Sequence, residues 1–102
     1  MLFFPLFLFA NTEFEQIFDD HTAVMLLIEP KSGKIIKANQ AAADFYGYSL
    51  QALQSKTIQE INLFTAEQVA EERENAHRQK RNYFIFRHQT AAGDIKTVEV
   101  LE

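Results

Sequence analysis

GKIIKANQAAADFYGYS, residues 33–49, holds a strand, a capped helix and the start of a second helix in one short stretch. Lys34 to Ala38 is apolar at its centre and reads as a strand. Asn39 follows as a helix N-cap, because its side-chain oxygen can accept from the free N–H groups of the first turn. Ala41, Ala42 and Ala43 are strong helix formers. Gly47 ends the helix, since glycine takes the left-handed conformation without steric cost. Ser49 caps the next helical piece. So dense a succession leaves little room for a regular crossover unit, and it predicts a compact α+β domain.

Upstream, Pro30-Lys31-Ser32-Gly33 is a turn signal that makes the strand ending at Ala38 a hairpin partner of the run before it. That run, Thr22 to Ile28, is apolar without interruption and predicts a strand buried on both faces. One face meets the domain interior, and the other lies under an amino-terminal helix. The helix itself is marked by Thr12 and Glu15, which fit a capping box. Phe14, Ile17 and Phe18 then fall on one helical face. Residues 1–10, MLFFPLFLFA, carry no charge. The run is shorter than the roughly 20 residues of a membrane-spanning helix. It also lacks the positive start and small-residue cleavage site of a signal peptide. It is read as a docking segment, residues 1–12, with the tail of an upstream membrane helix as the alternative.

Downstream, Thr57 to Glu60 and Thr65 to Gln68 are two further capping boxes, and Phe64 with Val69 fits a hydrophobic staple. The helix predicted from Ala66 to about Lys80 is the longest. Its early Glu67, Glu71 and Glu72 and late Arg78 and Lys80 suit the helix dipole. Its inward stripe, Ala66, Val69, Ala70, Arg73 and His77, is thin, which suits a helix covering a pocket rather than building a core. In YFIFRHQT, residues 83–90, Phe84, Phe86 and His88 alternate with Ile85, Arg87 and Gln89. Ala91 to Asp94 is a turn, and Ile95 to Leu101 places Val98 and Val100 on one face. Phe45 and Phe86 are expected to be nearly fully buried.

Taken in order, the glycine turn at Gly33, Ile35 and Ile36, Asn39, Ala41 and Ala42, then Gly47-Tyr48-Ser49 resemble the PAS family. Tyr83 to Val100 resembles the later β-hairpin of that family. The resemblance implies a PAS-like antiparallel sheet flanked by short helices and one longer helix, over residues 13–102. The family's fifth strand, central in its sheet, is missing after Glu102, so the domain is expected to be truncated at its C-terminus. Function follows by the same resemblance: a sensory input domain of a bacterial signalling protein. It would control a downstream diguanylate cyclase or histidine kinase output domain through dimer geometry, with no catalysis of its own. A ligand-free dimerisation module is the competing reading. The expected location is cytoplasmic, with a membrane-associated parent protein as the variant.

Composition agrees with one modest core: of 102 residues, 47% are hydrophobic and 24% charged. The net charge of −4 comes with no basic stripe, which argues against nucleic-acid contact. The absence of cysteine removes disulfides, thiolate metal sites, flavin-cysteinyl adducts and thioester chromophores. His21, His77 and His88 lack metal-ligand spacing. Ser49, His88 and Asp94 sit in no nucleophile motif, Ser49 being a cap and Asp94 a turn residue. No cofactor is expected. Heme through His77 is the alternative, because heme-binding relatives place a histidine on the long helix. A small apolar or aromatic ligand would be walled by Met25, Leu27, Ile36, Phe45, Leu53, Ile58, Ile61, Val69, His77, Phe84, Phe86 and Val98. The same residues equally describe a filled core.

Without a central fifth strand, the strands ending at Ile28 and Leu101 each keep an open edge, which invites another segment. Leu2 to Phe9 is available, but Pro5 cannot donate to a ladder. Packing of the run across the outer sheet face, shared with a second chain, is therefore ranked above strand insertion. It predicts a homodimer with Phe3, Phe4, Phe7, Phe9, Phe14, Ile17 and Phe18 in the interface.

Overall fold

The structure, a computed structural model, describes residues 2–5 and 12–102. The elements run β1 (Leu2–Pro5), α1 (Thr12–Asp20), β2 (Met25–Ile28), β3 (Ile35–Ala38), α2 (Gln40–Tyr46), α3 (Leu50–Leu53), a 3₁₀ turn (Ile58–Glu60), α4 (Ala66–Arg78), β4 (Phe84–Gln89) and β5 (Ile95–Val100). The helix ends sit where short-range chemistry puts them. Asn39, Ser49 and Thr65 accept from backbone N–H groups three residues on, at 2.9, 3.0 and 3.1 Å. Gly47 takes φ +77° and returns its N–H to the carbonyl of Ala43. Gly33 has φ +75°, and a Cβ there would lie 2.2 Å from the Gln59 side chain. The left-handed backbone favours glycine at that turn, and an added side chain would also have to displace the end of the Gln59 side chain.

Three strands form one sheet in the order β1-β2-β3, and β4 with β5 forms an antiparallel hairpin running from Phe84↔Val100 to Gln89↔Ile95. β1 pairs with β2 in parallel, Leu2 opposite Met25 and Pro5 opposite Ile28. This corrects the expectation that the amino-terminal run packs on a sheet face rather than joining a ladder. Pro5 is tolerated because β1 is an edge strand and Pro5 is its last residue. Phe7 and Phe9 lie outside the described residues. Phe3 and Phe4 stand in β1 opposite Leu26 and Leu27.

Two apolar clusters follow from the period-two geometry of β2. Leu26 points into the main core with Ile35, Tyr46, Leu53, Ile61, Phe86, Val98 and Val100. Met25 and Leu27 point the other way, onto Phe18 of α1, with Phe14 beside them. The amino-terminal helix thus covers the outer face of β2, as expected from the uninterrupted apolar run. Phe18 is consumed there, 1% exposed, and is not available to a partner chain as had been expected. Ile17, on the outer side of α1, is 63% exposed.

Two core assignments are corrected. The β2–β3 register shifts between Leu27 and Ile28, so Ile35 pairs with Ile28 and Ile36 is turned outward. On α2 the inward residues are Ala42, Ala43 and Tyr46; Phe45 is one position off that face, half-buried, with its ring edge-on to Tyr46 at 5.0 Å. On α4, Ala66, Val69 and Arg73 of the expected stripe do line the space beneath the helix, Glu72 and Ala76 are turned inward beside them, and Ala70 and His77 are exposed. The cause is Glu72, whose carboxylate takes the Arg81 guanidinium at 2.8 Å and the Ile85 N–H at 2.6 Å, tying α4 to the start of β4.

Candidate functional site

The site begins with the segment that joins the 3₁₀ turn to α4. Leu63 donates its N–H to Arg87 and Gln89 donates to Ile61, both across to β4. Asn62 accepts from the Phe64 N–H at 2.9 Å, which turns the chain into the N-cap of α4. The helix is thereby held over the inner face of β4 and β5 without filling the space beneath. Between them lies a cavity of about 610 Å³. Its apolar wall is Ile28, Pro30, Ile58, Phe64, Ala66, Val69, Phe86 and Val100, and its polar points are Gln59, Asn62, Arg73, His88 and Glu102. A mostly apolar concavity with a few convergent polar groups is the form that small-molecule sites take.

Two polar features define its chemistry. At the α4 side, Arg73 presents Nη1 and Nη2 to the two carboxylate oxygens of Glu102, each at 2.9 Å, while its guanidinium lies 4.6 Å over the Phe84 ring. The paired carboxylate holds Arg73 above its ordinary basicity. Deeper in, His88 is fully buried on the inner face of β4, its ring parallel to Phe86 and its Nδ1 2.8 Å from the Tyr46 hydroxyl. Burial pushes the His88 imidazole down to about 4 and raises the Tyr46 phenol well above its usual value. His88 is therefore neutral at pH 7, and Tyr46 keeps its proton.

The depressed imidazole has a consequence for stability. Between pH 6.5 and about pH 4 the unfolded chain binds a proton at this position that the folded one does not. Stability should fall as pH drops through that window, by at most about 3 kcal/mol from this group. Urea melts from pH 7.5 to 4.5 on the parent and on His88→Phe check it. The parent should lose more stability on acidification than the variant; parallel curves would show that His88 titrates normally.

Of the residues expected to wall a pocket, Ile58, Val69 and Phe86 line the cavity. Leu53, Ile61 and Val98 are buried in the main core but not on its wall, and Phe84 is half-buried beneath Arg73. Met25 and Leu27 belong to the opposite face of the sheet, and Ile36 and His77 face solvent. Phe45 borders a separate groove of about 220 Å³ with Val24 and Thr97 to Glu99. Sequence reasoning left His88 and Val100 out of the pocket, although their alternation with Phe84, Phe86 and Val98 already put them on the inward faces. Gln59, Asn62 and Phe64 carried no signal for a cavity wall, because the short 3₁₀ turn and the connection after it have no period of their own.

Comparison with known proteins gives this geometry its context. The family description "PAS domain" matches residues 12–81. Over 51 residues, 49% of this chain, the sequence is 41% identical to the diguanylate cyclase DgcM of Escherichia coli K12. That match spans only 12% of the length of DgcM. The fold is shared with a PAS domain from a two-component sensor histidine kinase, at TM-score 0.62 and 22% identity over 87% of this chain and 81% of that one. It is shared too with the PAS domain of an HTR-like protein from Haloarcula marismortui, at TM-score 0.65 and 22% identity over 86% and 73%. With the hairpin β2–β3, the capped α2 and the helix α4 all within or bordering the matched span, the chain belongs to the PAS domain family.

Proposed function

We propose that this PAS domain is the input domain of a bacterial signal-transduction protein and that it senses a small molecule held in the cavity beneath α4. The observation that carries this reading is the cavity itself: about 610 Å³, walled by side chains from the 3₁₀ turn, α4, β4 and β5. A ligand there touches both the helix and the sheet, so it can bias their relative packing. The local identity to a diguanylate cyclase supports an output module of that kind; a histidine kinase is the alternative. The output is driven through the geometry of a homodimer, and the site of action is the cytoplasm. Among the described residues no helix is long and apolar enough to cross a membrane.

No heme is part of this reading. His77 is exposed and does not line the cavity. The purified domain is expected to be colourless, and a Soret band lost in His77→Ala would refute that.

A ligand-free dimerisation module is the second reading, favoured by the exposed Ile17, Ile85 and Ile95. The two are separated by filling the cavity. Val69→Trp places an indole in it from α4. If the cavity holds a ligand, denatured extracts of the parent should release a small molecule that extracts of Val69→Trp lack. Ligand at about 100 times its dissociation constant should also stabilise the parent by roughly 2.7 kcal/mol. Empty extracts from both, with light scattering showing a dimer in both, would decide for the dimerisation module.

A further inference from the structure

Building on the reading of the cavity as a ligand site, we infer that its ligand is an apolar molecule ending in a carboxylate, which Arg73 binds in place of Glu102. Arg73 is the one Lys or Arg side chain among the described residues lining the cavity. It already holds a carboxylate in fork-to-fork geometry, both contacts at 2.9 Å. The Phe84 ring lies 4.6 Å beneath the guanidinium. A planar two-oxygen group is therefore what the site is shaped to take. A phosphate, with its second charge, would find no second Lys or Arg on the described wall.

The pair with Glu102 is replaceable. Its side chains are 47% and 36% exposed, and ion pairs so exposed contribute little to stability. A ligand brings what Glu102 lacks, an apolar body for the wall formed by Ile58, Phe64, Val69, Phe86 and Val100. Glu102 lies two residues beyond the end of β5, so a ligand that captures Arg73 frees the segment after β5 from α4, while Glu72 still holds the start of β4. Binding of the ligand and release of Glu102 are thus one event.

Calorimetric titration at pH 7.5 with phenylacetate, 4-phenylbutanoate and their uncharged amides tests the inference. In the parent, the acids should bind about tenfold tighter than the amides, the scale of a charge-assisted bidentate contact. Arg73→Gln should erase that ratio while leaving amide binding in place. Arg73→Lys, which keeps the charge but not the fork, should retain only part of it. Glu102→Gln should tighten acid binding about threefold by removing the internal competitor, in keeping with the small worth of exposed pairs. Thermal melts of each variant confirm folding. Acids and amides binding equally, with Arg73→Gln silent, would overturn the carboxylate assignment and leave the cavity reading standing. No binding of either class would overturn both.

Discussion

Replacement of Asn39 by alanine is expected to lower the free energy of unfolding by about 3–5 kcal/mol, well beyond the roughly 1 kcal/mol of an ordinary N-cap. Asn39 is 1% exposed, and every polar atom of its side chain is used. Its oxygen accepts from the N–H of Ala42 at 2.9 Å and from that of Met25 at 3.1 Å. Its amide nitrogen donates to the carbonyls of Ala23 at 2.8 Å and His21 at 3.2 Å. One residue therefore fastens the start of α2, the start of β2 and the loop leaving α1. Alanine leaves two N–H groups and two carbonyls to find other partners, and each buried orphan costs about 1–3 kcal/mol. Asn39→Asp keeps the acceptor but sets a carboxylate against two carbonyl oxygens, so it should not rescue. Denaturant melts measure both variants. A loss near 1 kcal/mol for Asn39→Ala would mean that water enters and replaces the amide.

Phe86→Ala is expected to cost about 3–5 kcal/mol, as truncation of large core aromatics does. Phe86 is 4% exposed. Its ring meets Phe64 edge-on at 5.6 Å and lies near-parallel to Phe84 at 6.0 Å and to His88 at 6.4 Å. Removing it breaks a row of aromatic contacts and enlarges a cavity that already borders the side chain, so the surroundings have little to collapse with. The control is Ile85→Ala, one residue away on the opposite face and 37% exposed, which should cost about 1 kcal/mol or less. Were the two variants to melt together, the inward and outward faces of β4 would be interchanged. The Phe86 variant should also bind any cavity ligand more weakly than its loss of stability alone accounts for.

The features that were legible in the sequence are those whose causes lie within three or four residues. Asn39, Ser49 and Thr65 are caps because a side-chain oxygen two or three bonds from Cα reaches the free N–H groups of the turn that follows it. Gly47 ends α2 because left-handed backbone is free of cost only without a Cβ. The alternation of Phe84, Phe86 and His88 was legible too, because period two is a property of the strand alone. Together with the order in which they come, these marks carried the resemblance to the PAS family.

The tertiary structure decided whatever needed a comparison between distant segments. Met25 and Leu27 are as apolar as Leu26, so pattern alone could not say which face of β2 meets the cavity and which meets Phe18. A one-residue bulge opposite Leu27 and Ile28 turned Ile36 to solvent, and nothing local marks it. The pairing of β1 with β2 depended on an open ladder edge, whose N–H and C=O groups recruit a strand whatever its side chains. Part of the cavity wall came from Gln59, Asn62 and Phe64, in the 3₁₀ turn and the connection after it, which carry no period. The face that α4 turns inward was set by Glu72, through hydrogen bonds to Arg81 and Ile85, 9 and 13 residues further along the chain. Backbone chemistry determines where each element starts and stops, but the side that an element buries is chosen by the partner it packs against.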